Sequence, residues 1–256
     1  MDMLNASCGV SRDSRGVVTL TICNAGPLNI LNSETIRGVR AGLETLAADA
    51  AIRVLVVAGE SPKSLIGGAD IKEMARLDQQ SAETFISGLR DLCEAVRLFP
   101  APVIARMPGW CLGGGLEFAA ACDIRVAAHD AKFAMPEVKV GIPSVIHAAL
   151  LPRLIGWGRT RWLLLTAGTV DAPTALAWGL VDSVAREGEL DAAVEAMVAS
   201  LLECAPQALR SQKALLRDWE EMPLREAFDH SVQVFGKAYL TGEPQRLMQG
   251  FIDRKR

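Results

Sequence analysis

The chain has 256 residues and half of them are hydrophobic, so it can bury a full core as one large domain or as a domain with an appendage. Its net charge of −3 arises from intermixed acidic and basic residues, without a basic run that would neutralise the phosphates of a nucleic acid. The composition therefore argues against a disordered chain and against a nucleic-acid partner.

The chain also lacks the sequence signals of membrane and metal proteins. No apolar stretch reaches the roughly 20 residues of a membrane helix, and residues 1–16 are too polar for a secretory signal. The six cysteines are scattered and contain no Cys-x-x-Cys pair, so neither a zinc site nor a redox motif is indicated. We expect a soluble cytoplasmic protein with reduced cysteines, no metal and no membrane partner.

Strand and helix patterns alternate in the first part of the chain. Residues 17–23 and 54–58 predict strands, and apolar residues at helical spacing after Ser33 predict a helix between them. The pattern recurs with a helix over residues 81–99, a strand over 102–107, a glycine cluster, a helix from Leu116 and a strand over 123–127. This alternation predicts an α/β fold with a mostly parallel sheet and right-handed crossovers.

The strand signals stop at about residue 190. Helices are predicted over residues 192–204, 206–219, 224–241 and 244–254. We therefore predict a core over residues 1–190 and a helical C-terminal region over residues 191–256.

A glycine triplet, Gly113-Gly114-Gly115, lies between a predicted strand and a predicted helix. Adjacent glycines cost chain entropy, which suggests a tight turn whose backbone is closely approached. A free amide at such a helix start attracts negative charge. A plain turn is the simpler explanation for the glycines alone, and their spacing does not fit the G-x-G-x-x-G pattern of dinucleotide sites.

A second glycine pair, Gly67-Gly68, follows the strand predicted over residues 54–58 and also opens a helix. Two such loops after two strands of one sheet could aim two backbone amides at one oxygen, as an oxyanion hole requires. Either loop alone is weak evidence for such a site.

Two glutamates stand beside these features. Glu117 is at the start of the helix after the triplet, and Glu137 follows 20 residues later, beside Pro136. Singly, a first-turn glutamate usually only complements the helix dipole, and a glutamate beside proline is usually solvated. Two carboxylates within hydrogen-bond reach near an oxyanion hole could instead hold a water and move protons to and from carbon.

Three ordered motifs connect these features. They are GGADIKEM at residues 67–74, GGGLE at residues 113–117 followed by ACD at 121–123, and PEVKVGIP at residues 136–143. This combination resembles the enoyl-CoA hydratase/isomerase (crotonase) family. The resemblance covers nearly the whole chain, from PLNILN at residues 27–32 to FIDRKR at residues 251–256.

The resemblance implies a crotonase-like spiral of β-β-α turns with a C-terminal helical trimerisation region, assembled as a homotrimer or homohexamer. It implies an enoyl-CoA hydratase that adds water across the 2,3 double bond of a 2-trans-enoyl-CoA to give a 3-hydroxyacyl-CoA. The partner is an acyl-CoA thioester, so CoA enters as part of the substrate and no cofactor is expected. A Δ3,Δ2-enoyl-CoA isomerase, another acyl-CoA enzyme of the family and a non-catalytic binding or assembly protein remain as alternatives.

The same resemblance assigns residues to roles. Glu117 is expected to orient and deprotonate the water while Glu137 delivers a proton to the α-carbon, and the Ala69 and Gly114 amides form the oxyanion hole. Further residues expected to contact the substrate or its CoA are Gly68, Asp70, Ile71, Lys72, Gly113, Pro136, Gly141, His147, Phe251 and Arg254. Among them, Lys72 is expected at a CoA phosphate, with a solvated lysine as the alternative. Phe251 and Arg254 are expected at the adenine, and for Phe251 a core or subunit contact is the alternative.

The chain departs from the family pattern after the second glutamate, where a glycine-rich run is common. Here residues 144–150 read SVIHAAL, a bulkier apolar segment with a histidine. The segment lies near the acyl site in the family, so the acyl-chain preference stays open. His147 is expected either to line the acyl pocket, where it contacts a polar substrate group or tunes Glu137, or to be a capped or surface histidine.

Overall fold

β-Branched and apolar segments build one large sheet in the computed structural model, which describes residues 1–254. Its strands are β1 (Asp2–Asn5), β2 (Cys8–Arg12), β3 (Val17–Ile22), β4 (Val54–Gly59), β6 (Val103–Met107), β8 (Ile124–Ala127) and β11 (Ser183–Val184), in the order β1-β2-β3-β4-β6-β8-β11. The pairings from β3 to β11 are parallel, whereas β1, β2 and β3 pair antiparallel. The predicted mostly parallel sheet is confirmed.

A second, smaller sheet carries the two glycine loops. It consists of β5 (Ser64–Ile66), β7 (Trp110–Leu112), β9 (Lys132–Ala134) and β10 (Val170–Asp171), in the order β10-β9-β7-β5. Strands of two or three residues are too short for an alternating pattern to be recognised. The loops therefore follow β5 and β7, and the prediction that the first loop follows the strand at residues 54–58 was wrong. Because β5 and β7 pair in parallel, both loops still leave the same edge of one sheet.

Ten α-helices and three short 3₁₀ helices accompany the sheets in the described part of the chain. The α-helices are α1 (Ser33–Ala47), α2 (Ile71–Met74), α3 (Gln79–Arg97), α4 (Gly114–Ala121), α5 (Leu151–Thr166), α6 (Ala172–Trp178), α7 (Leu190–Leu202), α8 (Pro206–Glu221), α9 (Leu224–Ala238) and α10 (Glu243–Arg254). The 3₁₀ helices are Glu137–Val140, Ile146–Leu150 and Tyr239–Thr241. The four helices predicted after residue 190 all form.

The main core lies between the large sheet and helices α1, α3 and α4. Every residue of α4 is buried, because its sequence GGLEFAAA consists of small and apolar side chains apart from one glutamate. A second cluster on the other face of the sheet packs Leu190, Val194 and Val198 of α7 against Val54 and Ile104. The boundary near residue 190 stays a prediction, and α7, which it assigns to the C-terminal region, packs on the large sheet.

Two further observations concern the helices and the cysteines. Within residues 1–254, no single helix has both the length and the apolar composition needed to cross a membrane, although α7 and α8, bent by 103°, meet that test as a pair. All six cysteines are free thiols, and only Cys204 is exposed.

Candidate active site

The glycine triplet forms a tight start to α4. Gly113 has a φ of 52° and a ψ of −124°, a conformation that L side chains rarely adopt. A Cβ at Gly113 would also collide with the side-chain oxygen Oε1 of Glu137, and one at Gly115 would collide with the carbonyl oxygen of Ile66. The glycines therefore bring β5 and Glu137 against the first turn of α4. The helix begins at Gly114, two residues before its predicted start at Leu116.

Two backbone amides at these loops have no partner in their own elements. Gly114 is the first residue of α4, where an amide has no intrahelical acceptor. Ala69 forms a parallel bridge with Leu31, in which Leu31 N donates to Gly68 O and Asp70 N donates to Leu31 O, both at 2.9 Å. Because these bonds flank Ala69, its own N–H points away from Leu31.

Both residues line one cavity of about 500 Å³ that also contains the two glutamates. Its walls come mainly from α3, the residues that precede it and the segment after Glu137. The lining side chains are mostly apolar, and they belong to Met74, Leu77, Ala82, Phe85, Ile86, Leu89, Ile142, Pro143 and Val145, with Asp78, Gln79 and Glu83 as polar members. The cavity thus combines an apolar wall with two carboxyl groups and the two loop residues, as expected of a small-molecule site.

Glu117 is the more deeply buried of the two glutamates, with 3% of its surface exposed. Its Oε1 accepts a hydrogen bond from the amide of Ala148 at 3.1 Å. Burial raises the pKa of Glu117 to about 8, and the nearby charge of Glu137 raises it too, whereas the amides of Ala148 and Val145 oppose the shift. At neutral pH the carboxyl of Glu117 is therefore mainly protonated in the free protein.

Glu137 begins the 3₁₀ helix Glu137–Val140 and is half-buried. Its Oε2 accepts a hydrogen bond from the hydroxyl of Ser144 at 2.8 Å. The 3₁₀ helix ends at Gly141, whose φ of 84° turns the chain back so that Ile142 N donates to Glu137 O at 3.2 Å. A protonated carboxyl and a second carboxyl in one cavity can exchange protons with a molecule held between them.

Three other predicted site residues directly precede the two loop amides or Glu137 in the chain. Gly68 and Gly113 directly precede the amides of Ala69 and Gly114. Pro136 directly precedes Glu137.

The other predicted residues near Ala69, which are Asp70, Ile71 and Lys72, are not among the residues that line the cavity. Asp70 caps α2, because its Oδ1 accepts hydrogen bonds from Lys72 N at 2.8 Å and from Glu73 N at 3.3 Å. Ile71 and Lys72 are exposed on the same helix, next to Ala69. The predicted contact of Lys72 with a CoA phosphate stays a prediction.

His147 does not line the cavity. Its ring nitrogen Nε2 lies 2.8 Å from Oε1 of Glu94 on α3, and only 7% of the side chain is exposed. Burial lowers the pKa of His147 below its ordinary value. The expectation that His147 lines the acyl pocket was wrong, because the 3₁₀ helix Ile146–Leu150 directs its side chain into the protein toward α3. Of the alternative, a capped or surface histidine, its burial excludes the surface position.

The two residues predicted at the adenine both belong to α10. Phe251 is exposed and is not part of the cavity wall. Arg254 ends the helix, and its side chain lies outside the described part of the structure. Their role stays a prediction.

Sequence reasoning missed the residues that complete the site. The cavity-facing side chains of α3, such as Phe85 and Leu89, follow the same helical pattern as core residues, so periodicity alone does not separate a cavity wall from a core. Ser144 and Ala148 contact the two glutamates from one short segment, which no motif marks. Among residues 1–254, no group of three or more His, Cys, Asp or Glu side chains is arranged to hold a metal ion.

Comparison with known proteins gives a consistent result. The sequence profile of the enoyl-CoA hydratase/isomerase family matches residues 12–256. Crotonyl-CoA hydratase of Syntrophomonas wolfei is 32% identical over 230 residues, which cover 90% of this chain and 88% of that protein. Short-chain-enoyl-CoA hydratase of Clostridium acetobutylicum is 30% identical over 241 residues, covering 94% of this chain and 92% of that protein.

A solved structure of an enoyl-CoA hydratase matches the fold of this chain over nearly its whole length. Enoyl-CoA hydratase of Mycobacterium smegmatis superposes with a TM-score of 0.93 at 29% identity, covering 98% of this chain and 97% of that one. The crotonase-like α/β fold with a helical C-terminal region is confirmed. The chain belongs to the enoyl-CoA hydratase/isomerase family.

Proposed function

We propose that this protein adds water across the 2,3 double bond of a 2-trans-enoyl-CoA to give a 3-hydroxyacyl-CoA. The observation that carries the proposal is the presence of two carboxyl groups, Glu117 and Glu137, in the same cavity as the loop residues Ala69 and Gly114. The names of the relatives from Syntrophomonas wolfei and Clostridium acetobutylicum support the same reaction.

The two amides suit the thioester end of such a substrate. The thioester oxygen accepts hydrogen bonds from Ala69 N–H and Gly114 N–H, which stabilise the enolate-like charge that develops on it. Each donor in a comparable oxyanion hole contributes about 3 to 4 kcal/mol. The amino end of α4 adds a favourable dipole at the same point.

The two glutamates perform the proton transfers. Glu117 orients the water and takes its proton as the oxygen adds to the β-carbon, while Glu137 gives a proton to the α-carbon, and the roles reverse in dehydration. The pair therefore works with one proton, which lies mainly on Glu117 in the free protein and passes to Glu137 before the water adds, so that Glu117 is ionised when it takes the proton of the water. Because both groups hold one water, addition occurs on one face of the double bond.

The substrate's acyl group fits the apolar wall formed by α3 and residues 142–145. The CoA portion extends past Ala69 toward Lys72, and CoA is part of the substrate rather than a separate cofactor. A cytoplasmic location stays a prediction.

A Δ3,Δ2-enoyl-CoA isomerase is the second candidate, since it needs one carboxylate to move a proton between carbons. The presence of both carboxyl groups in the cavity favours hydration. Incubation of the purified protein with crotonyl-CoA and with longer enoyl-CoAs, followed by analysis of hydroxyl and double-bond positions, separates the two. A 3-hydroxyacyl product supports the proposal. A shifted double bond without a hydroxyl product, or no reaction, contradicts it.

We also propose that the protein assembles as a homotrimer or homohexamer through its C-terminal helices. Four large apolar side chains on α9, those of Leu224, Phe228, Val232 and Phe235, have exposed fractions between 62% and 73%. Their spacing of three or four positions places them on one face of the helix, and a contiguous exposed apolar face marks an interaction site. Light scattering in solution tests the assembly, and a monomeric mass at micromolar concentration contradicts it.

A further inference from the structure

The buried pair of His147 and Glu94 is a feature that the proposed reaction does not use. It joins α3 to the 3₁₀ helix Ile146–Leu150 through the 2.8 Å contact between His147 Nε2 and Glu94 Oε1. Glu94 is itself fixed, because Arg97 lies 3.5 Å from its Oε2 and binds Glu220 and Glu221 of α8 at 2.8 Å and 3.0 Å. The pair is therefore anchored on the protein side of the 3₁₀ helix, away from the cavity.

Ala148, the residue after His147, contacts one of the two glutamates in the cavity. Ala148 N donates a shared hydrogen bond, to Val145 O at 2.9 Å within its own segment and to Glu117 Oε1 at 3.1 Å, so a single peptide unit separates the histidine from a hydrogen bond to a catalytic carboxyl. The bond to Val145 O fixes the amide relative to its own segment, so the position of the 3₁₀ helix on α3 decides whether the amide reaches the carboxyl of Glu117.

The state of the histidine follows from its surroundings. Its second ring nitrogen, Nδ1, is buried and has no hydrogen-bond partner among the described residues. A charged imidazole would leave an unpaired N–H there, so the ring is neutral, with its proton on Nε2 where it donates to the carboxylate of Glu94. Burial is the main cause of the lowered pKa of His147; Glu94 opposes the shift, whereas Arg97 and Arg90 add to it.

We propose that His147 and Glu94 form a clamp that holds the 3₁₀ helix Ile146–Leu150 on α3 and thereby keeps the Ala148 amide on the carboxyl of Glu117. His147 is a positioning residue, since it touches neither the cavity nor the reacting atoms. This inference rests on the proposed hydratase function for its effect on catalysis, but its structural consequence at Glu117 is independent of that function.

Loss of the clamp is expected to change the pKa of Glu117, which the loss of a contact that only stabilises the fold would not do. An amide hydrogen bond favours the ionised form of the carboxyl it binds, so releasing Ala148 disfavours ionisation of Glu117. Loss of one hydrogen bond to a charged group changes such an equilibrium about tenfold, which is a rise of about one pKa unit. The other ionisable groups that face Glu117 are Glu137 and Cys93, and both are retained in the clamp variants; Glu94 also acts on Cys93, whereas His147→Ala leaves Glu94 in place.

The test uses His147→Ala and Glu94→Ala, the second of which keeps α3 intact because alanine is the best helix former. We expect each variant to raise the pKa of Glu117 by about one unit. That pKa is measured by ¹³C NMR of the labelled carboxyl, assigned by its absence in Glu117→Gln. We also expect kcat to fall about tenfold with KM nearly unchanged, as displacement of a catalytic group predicts. The double variant is expected to match the single ones, because the two residues act as one unit.

Two further variants give the test its controls. His147→Gln places an amide nitrogen where Nε2 stands, and we expect it to restore the pKa of Glu117 and kcat. Asp91→Asn removes a carboxylate from the same helix that binds Arg40 at 2.9 Å on the surface, and we expect it to leave both quantities unchanged.

The outcomes separate this inference from the proposed function. An unchanged pKa of Glu117 in both alanine variants would overturn the clamp, as would an equal change in Asp91→Asn or no recovery in His147→Gln. If the wild-type protein hydrates no enoyl-CoA, the proposed function fails, while the NMR titration still decides whether the clamp exists.

Discussion

The two glutamates of the cavity have the same side chain and opposite surroundings. Glu117 lies inside α4 with 3% of its surface exposed, and backbone amides hold its carboxyl. Glu137 is half-buried at the start of a short 3₁₀ helix, and the hydroxyl of Ser144 holds it. The difference fits the separate proton-transfer roles that we propose for the two carboxyl groups, because burial raises the pKa of Glu117 to about 8.

The largest expected effect comes from removing either carboxyl group. Glu117→Gln and Glu137→Gln keep the side-chain size but cannot transfer a proton, so kcat for hydration of crotonyl-CoA should fall about a hundredfold or more. Folding and CoA binding should be largely retained. Glu44→Gln, which changes a surface glutamate of α1 that binds Arg40 at 2.8 Å, serves as the matched control with near-normal kcat. Full hydratase activity in Glu117→Gln would contradict the mechanism.

The pH dependence of the free energy of unfolding is expected to differ between Glu117 and Glu137. The pKa of Glu117 is about 8 in the folded state and 4.5 as its ordinary value, so the folded state binds the proton more tightly. The stabilising contribution of the protonated Glu117 carboxyl to the free energy of unfolding is complete below about pH 4.5 and is lost as pH rises to about 8. At pH 7 the loss is about 3 kcal/mol. Glu117→Gln should therefore raise the free energy of unfolding by about that amount at pH 7 and by almost nothing at pH 4.5.

Urea unfolding of Glu117→Gln and Glu137→Gln at both pH values measures this difference. Glu137→Gln should change the free energy of unfolding less than Glu117→Gln does, because its carboxyl remains partly in water. An equal gain in both variants, or no gain in Glu117→Gln at pH 7, would show that burial does not distinguish the two groups.

The pH dependence of turnover tests the shared proton. The pair works in its singly protonated form, and the last proton leaves with a pKa of about 8. Above that pH, kcat/KM should fall about tenfold per pH unit. Hydration and dehydration should show the same decline, since the overall reaction neither takes up nor releases protons. A steady rise of kcat/KM from pH 7 to pH 9 would contradict the shared-proton mechanism.

The smallest expected effect concerns the hydroxyl that holds Glu137. Ser144→Ala removes a hydrogen bond of about 1 kcal/mol, so kcat should fall about fivefold with KM little changed. Steady-state kinetics on crotonyl-CoA measure the change. Ser87→Ala on α3 offers a control of the same chemistry away from the two carboxyl groups. A loss as large as that of Glu137→Gln would assign Ser144 a more direct role than positioning.

Part of the site was predictable because its residues are constrained locally. The glycine triplet must accommodate a positive φ and the close approach of Glu137, and such constraints leave a recognisable motif. Gly67-Gly68 and the segment around Pro136 carry similar signals. The four C-terminal helices also follow from apolar spacing that each segment carries within itself.

The partner of His147 could not be predicted from local sequence patterns. The sequence places His147 close to the second glutamate, yet the structure turns it toward Glu94, which lies 53 residues earlier in the chain. The small sheet of β5, β7, β9 and β10 was missed for a related reason, since strands of two or three residues gain their stability from pairing with distant segments.

By itself, the sequence determined the alternating α/β core, the helical C-terminal region, the two glycine loops and the pair of glutamates, because local backbone requirements and periodicity are written in neighbouring residues. Only the tertiary structure decided that both loops leave the small sheet, that Glu117 is buried enough to hold its proton, and that His147 binds α3. These properties depend on burial and on contacts between distant segments, which no local pattern encodes.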